Sequence, residues 1–129
     1  MRHQIPAEID RLATQIVDAG FQVHDMMGPG LLEKAYEECL VHEFKQRSIW
    51  FEQQREIPLS YKGLVLTTHY RADLIVASCI VVEVKAVDAL LPLHQAQLIT
   101  YLKLTNCRLG FLLNFNVRLF KNGVRRIAL

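Results

Sequence analysis

From Ile9 onward apolar residues recur at intervals of three and four (Ile9, Leu12, Ala13, Ile16, Val17), which is the spacing of one buried helical face. Pro6 suits the first turn of that helix, which is predicted to end near Gly20 or a little beyond. After the Gly28, Pro29, Gly30 cluster, the spacing of Leu32, Ala35, Tyr36, Cys39, Leu40 and Phe44 predicts a second amphipathic helix reaching about Arg47.

The period then changes to two. From about Phe51, Ile57, Leu59 and Tyr61 alternate with Glu56, Ser60 and Lys62. A turn at Lys62 and Gly63 leads into Leu64, Leu66, Thr68 and Tyr70, and this second hairpin strand continues through Asp73 to about Val76. The run IVVEVKAV after Cys79 is apolar at both parities except at Glu83 and Lys85, as in a central strand. A helix is predicted over Leu91 to Leu104, with Leu91, Leu98 and Leu102 on one face, followed by a buried strand over Cys107 to Asn114. Val117 to Ile127 is predicted to fold back through Asn122 and Gly123, the dipeptide best suited to a type I′ turn. The expected order is ααβββαβββ, an α/β fold with a mixed sheet flanked by helices.

Composition fits this picture. At 129 residues and 51% hydrophobic residues, a single domain over 1–129 can bury a core without covalent staples. The three cysteines, Cys39, Cys79 and Cys107, are odd in number and far apart, which argues against a disulfide framework, a zinc site or a redox pair, and points to a reducing cytoplasm. No stretch has the length of a membrane span, and MRHQIPAEID has no apolar signal core.

Charge adds something the periodicity does not. All thirteen acidic residues lie between Glu8 and Asp88, and residues 1–88 hold nine Lys and Arg, so this part of the chain carries −4. The last 41 residues hold Lys103, Arg108, Arg118, Lys121, Arg125 and Arg126 with no acid, and carry +6. Such asymmetry suggests a surface for an anionic partner; a solvated basic edge that guards an outer strand is the plainer alternative.

On the predicted central strand, Glu83 and Lys85 are two apart and share a face. If the preceding connection is centred on Ser78, residues whose numbers sum to 156 face one another, and Asp73 and Glu83 are such a pair. Adjacent like charges are destabilising and call for a cation. Lys85 is one candidate. A divalent metal is another, because two carboxylates, a backbone carbonyl and waters suit Mg²⁺. On the following helix, His94, Gln97 and Tyr101 can line one face, although by themselves they read better as the wet side of a surface helix with Tyr101 half buried. In GPGLLEKAYEE, Glu33 and Tyr36 are neighbours on the helix surface; helix-dipole complementarity and core packing are their plain structural explanations.

Together these pieces resemble the GxxExxY proteins of the PD-(D/E)XK nuclease superfamily over essentially the whole chain. Gly30, Glu33 and Tyr36 in GLLEKAY resemble the signature of the group. Asp73 resembles the superfamily aspartate, Glu83 and Lys85 the (D/E)XK pair, and Gln97 with Tyr101 the QxxxY motif of RecB-like nucleases. Ala72 stands where a proline often precedes the aspartate, a departure that removes no ligand. The resemblance implies a restriction-endonuclease-like core and a nuclease that uses Mg²⁺, with Mn²⁺ as substitute, on nucleic acid, DNA rather than RNA. Asp73, Glu83 and the Val84 carbonyl would hold the metal, Lys85 would act on the attacking water, Glu33 would assist, and Gln97 and Tyr101 would position the lysine or the phosphate. Lys103, Arg118, Lys121, Arg125 and Arg126 would carry the strand through phosphate contacts. The alternative is a catalytically silent module that binds nucleic acid or protein on the same fold, as a homo-oligomer or as a subunit of a larger assembly.

Overall fold

The computed structural model describes residues 4–129, so the first three residues of the N-terminal stretch considered above lie outside it. Helices α1 (Ala7–Met27) and α2 (Glu33–Gln46) are followed by β1 (Phe51–Ile57), a small hairpin of β2 (Ser60–Tyr61) and β3 (Leu64–Val65), and β4 (Tyr70–Val76). Then come β5 (Ile80–Lys85), α3 (Pro92–Thr105), β6 (Leu109–Asn114), a 3₁₀ turn over Phe120–Gly123 and β7 (Val124–Ala128). Among the described residues no helix is long and apolar enough to cross a membrane.

The main sheet runs β1-β4-β5-β6-β7, with β5 and β6 parallel and every other neighbouring pair antiparallel. The parallel step is the one that needs a crossover, and α3 supplies it. Helices α1 and α2 cover one face, where Ile16, Leu40 and Phe44 meet Leu74, Val82, Val84 and Phe111. Helix α3 covers the other, where Leu98, Tyr101 and Leu102 meet Ile75, Val81 and Leu112. Burial on both faces accounts for the apolar run of β5, whose residues 80–84 are all buried, and for the fully buried β6.

Several elements differ from expectation. The first helix runs through Gly20 to Met27, because Gly20 packs against Phe120: a Cβ there would lie 2.7 Å from the Phe120 ring. Gly28, with φ 66°, ends the helix by donating its N–H to the His24 carbonyl. Residues 57–70 do not form one long hairpin. The β1–β4 ladder closes at Ile57 opposite Tyr70, and β2 and β3 form a separate pair beyond it. Leu91 is exposed at the start of α3, leaving Leu98 and Leu102 as its buried leucines.

The expected hairpin through Asn122 and Gly123 is absent. These residues belong to the 3₁₀ turn, and β7 pairs with β6, so two strands follow α3 instead of three. Gly123 is needed there for close approach, since a Cβ would collide with the Asn114 carbonyl oxygen. Two consecutive positive φ values, the mark of a type I′ turn, occur instead at Ala77 and Ser78 (50° and 56°), which join β4 to β5.

Candidate active site

The β4–β5 register is the expected one: Leu74 pairs with Val82, Ile75 with Val81 and Val76 with Ile80, so the partners' numbers sum to 156. The backbone ladder stops there, and the carboxylates of the next pair take over. Glu83 Oε2 accepts the Asp73 N–H at 2.7 Å, and Asp73 Oδ2 accepts the Val84 N–H at 2.8 Å. Each strand thus satisfies a freed donor of the other through a side chain, holding the two strands slightly apart with both acids in the gap.

A break in the pleat of β4 assists this. Ala72 joins the α3-side core and Leu74 the α1/α2-side core, although residues two apart on a regular strand share a face. Opposite this break Gln54 takes a left-handed conformation, φ 51°. Its amide donates to Glu37 Oε1 at 2.9 Å and to Asp73 Oδ1 at 3.2 Å, and Gln53 Nε2 donates to Glu37 Oε2 at 2.7 Å. Glu37 is 3% exposed, yet these amides satisfy it. Neither glutamine was singled out from sequence, and neither was Glu37, although it lies four residues after Glu33 on the same helix face.

Glu33 opens α2 and faces the same gap. Burial raises its pKa, Asp73 raises it further, and Lys85 and the Ala86 backbone N–H oppose the shift. Its placement depends on Tyr36. That side chain is fully buried, stacks on Phe115 with centroids 4.7 Å apart, donates its hydroxyl to the Gly28 carbonyl at 2.6 Å and accepts the Leu31 N–H at 3.0 Å. Tyr36 therefore fixes the Gly28–Leu31 loop and the start of α2 that carries Glu33.

The acids crowd one another. Burial pushes the Glu83 carboxyl up to about 8, with the Asp73 charge adding to the effect. Burial likewise raises Asp73 against the bond from Val84. Lys85 lowers the pKa of all three carboxyls through its field, but among the described residues it forms no ion pair within 4 Å. The lysine position is set from β6: Lys85 lies opposite Asn114, its carbonyl accepts the Phe115 N–H at 3.0 Å, and the Asn114 amide bonds both the N–H and the carbonyl of Val87. Asn114, 1% exposed at the end of an apolar run, is a further residue that the pattern alone did not single out.

From the opposite layer, Gln97 Nε2 donates to the Tyr101 hydroxyl at 3.0 Å. Burial pushes the Tyr101 pKa up to about 12, with Glu83 and Asp73 next in effect, which places this hydroxyl in the field of the acids. His94 is turned to another task. Its Nδ1 accepts the Leu91 N–H at 2.9 Å and closes the N-terminus of α3.

The C-terminal cations do not form one surface. Arg126 turns to the α1 side and pairs with Asp10 at 2.8 Å, and Arg108 donates to the Gln4 carbonyl. Arg125, the adjacent strand residue, points to the opposite face and donates to the Asn122 and Val124 carbonyls. Lys103, Arg118 and Lys121 are exposed.

The donors at the gap are oxygen atoms alone, the set preferred by a hard divalent cation, and they are short of positive charge. Among the described residues no three His, Cys, Asp or Glu side chains converge as a preformed metal cage. Two carboxylates and waters remain a suitable shell for an ion that keeps much of its hydration.

A mixed sheet clad by helices on both faces, with Asp, Glu and Lys gathered where two neighbouring strands part, defines a class of end-of-sheet acidic sites. A family model described as the PD-(D/E)XK nuclease superfamily matches residues 10–127, and the chain belongs to that superfamily; its fold is the restriction-endonuclease-like one. Members of the superfamily generally use divalent metal ions. Neither the curated proteins nor the solved structures yielded a match.

Proposed function

We propose that this protein is a divalent-metal-dependent nuclease of the GxxExxY type that hydrolyses phosphodiester bonds, in DNA rather than RNA, with Mg²⁺ as its ion and Mn²⁺ as substitute. The observation that carries this reading is the reciprocal capture of Asp73 and Glu83 across parted strands, with Lys85 facing them and bound to neither. Asp73, Glu83 and the Val84 carbonyl would hold the ion. A divalent ion supplies a lowered pKa for a coordinated water and a Lewis acid for a phosphate oxygen.

Lys85 orients the attacking water and meets the negative charge that builds on the phosphate oxygens. Glu33 accepts a hydrogen bond from the same water. Tyr101, whose hydroxyl already accepts from Gln97, has its own hydrogen left to donate to the scissile phosphate. Lys103, Arg118, Lys121 and Arg125 hold flanking phosphates, and Arg126 joins them only by giving up Asp10. The three free thiols suit a cytoplasmic setting.

The test is incubation of purified protein with plasmid, linear duplex and single-stranded DNA, and with RNA, in Mg²⁺ or Mn²⁺. Cleavage is expected for wild type and none for Lys85→Ala, whose affinity should be nearly unchanged, because the ammonium acts on charge that develops in the transition state. Equal cleavage by the two proteins removes the assignment. Binding without cleavage by either favours the silent module.

A further inference from the structure

Beside the acids lies a groove of about 380 Å³ that none of the roles above uses, and Gln97 and Tyr101 belong to both. Tyr70, Leu93, His94 and Leu104 complete its main walls. The groove adjoins the acidic gap through Tyr101, which lines the groove and is buried in the same α3-side cluster as Ala72, the residue before Asp73. Its walls are flat or aliphatic, and none of its lining residues is Asp, Glu, Lys or Arg. Leu93 is 74% exposed, Leu104 44% and Tyr70 37%.

This character selects among the parts of a nucleotide. A phosphate or a charged peptide segment would lack a partner here, and a sugar would leave its hydroxyls against leucine. A nucleobase fits: a neutral π-face that stacks on tyrosine or imidazole, with a polar edge for the Gln97 carbonyl. A base inside a duplex cannot reach such a groove without leaving its stack.

We infer that the groove between Tyr70 and α3 receives one unpaired nucleobase next to the phosphate at the acidic gap, so that the protein acts on single-stranded or unpaired nucleic acid in preference to intact duplex. The inference rests on the nuclease reading for its direction, and the acids and the groove are separable by experiment.

The probe is a short single-stranded oligodeoxynucleotide carrying 2-aminopurine, titrated in Mg²⁺ against full-length Lys85→Ala protein. Stacking in the groove should quench its fluorescence. Leu93→Glu, which sets a carboxylate against the face of the base, should abolish the quench and weaken binding by roughly tenfold, about the loss expected when one base is no longer stacked. Glutamate suits the first turn of α3, so this variant should fold. Tyr70→Ala is the second variant and should behave alike. In cleavage assays with wild type, a single strand should be cut at least about tenfold faster than the same sequence as duplex.

An unchanged quench and affinity in both variants, absence of any quench, or duplex cut as fast as single strand overturns the inference. Cleavage of duplex that is indifferent to the groove variants leaves the nuclease reading standing without the groove. A groove-dependent quench in a protein that cuts nothing leaves the groove standing without the chemistry.

Discussion

Replacing Glu83 by glutamine should stabilise the metal-free protein at neutral pH. In the folded chain burial and Asp73 push the Glu83 carboxyl up to about 8 from 4.5. Between those values the native state therefore binds more protons than the unfolded chain, and wild-type stability falls as pH rises. Each pKa unit corresponds to about 1.4 kcal/mol, so keeping Glu83 protonated in the fold, where the unfolded chain would ionise it, costs on the order of 3 kcal/mol at pH 7 and nothing near pH 4. Glutamine does not titrate, and its amide oxygen can still accept the Asp73 N–H. Glu83→Gln should thus match wild type near pH 4.5 and exceed it increasingly up to pH 8. The gap at pH 7 corresponds to roughly 10 °C in melting temperature for a chain of this size. Thermal unfolding of both proteins across that range, in EDTA, measures it. A gap that does not change with pH, or a mutant less stable at pH 8, would refute the assignment of that cost to the buried charge.

Other outcomes follow from the same geometry. Tyr36→Phe should lower stability by about 1–3 kcal/mol in denaturant melts, because the Gly28 carbonyl and the Leu31 N–H lose their shared partner. Millimolar Mg²⁺ or Mn²⁺ should stabilise the wild type, by about 2.7 kcal/mol when the ion is at 100 times its Kd, and so raise its melting temperature; Asp73→Asn should remove the rise. Arg125→Ala should flatten the salt dependence of duplex binding by about one phosphate contact; Arg126→Ala, whose side chain is paired with Asp10, should leave that slope nearly unchanged. Gly123→Ala should unfold the chain or shift its melting far more than Gly63→Ala, since only the former meets backbone, at Asn114.

What could be read from the sequence was local in origin. The β4–β5 register followed from a short connection, because a turn centred on Ser78 leaves one pairing that keeps Leu74, Val76, Val82 and Val84 on a common buried face. The Glu83–Lys85 spacing was legible for the same reason, since strand parity is set within three residues. The failures came from contacts between distant segments. Gly20 looked like a helix terminus because its partner, Phe120, lies 100 positions away. Asn122 and Gly123 looked like a hairpin turn because the reason for the glycine is the backbone of Asn114. Glu37 is held by Gln53 and Gln54, and the twist that turns Gln54 toward it is a backbone state that a glutamine does not advertise.

The small β2–β3 pair stands apart from the sheet that carries the acids. Because the β1–β4 ladder is already closed at Ile57 and Tyr70, residues 58–69 form an appendage that can be shortened to a tight turn or enlarged with every strand pairing of the main sheet left in place. Doubling such a loop costs only about 0.6 kcal/mol in closure entropy. Its base includes Leu59, which lies on the rim of the same groove as Tyr70. Length and sequence can therefore drift in this appendage at little thermodynamic risk while altering what meets an incoming strand, making Lys62 and Gly63 a natural point for splicing in a recognition peptide or a foreign domain.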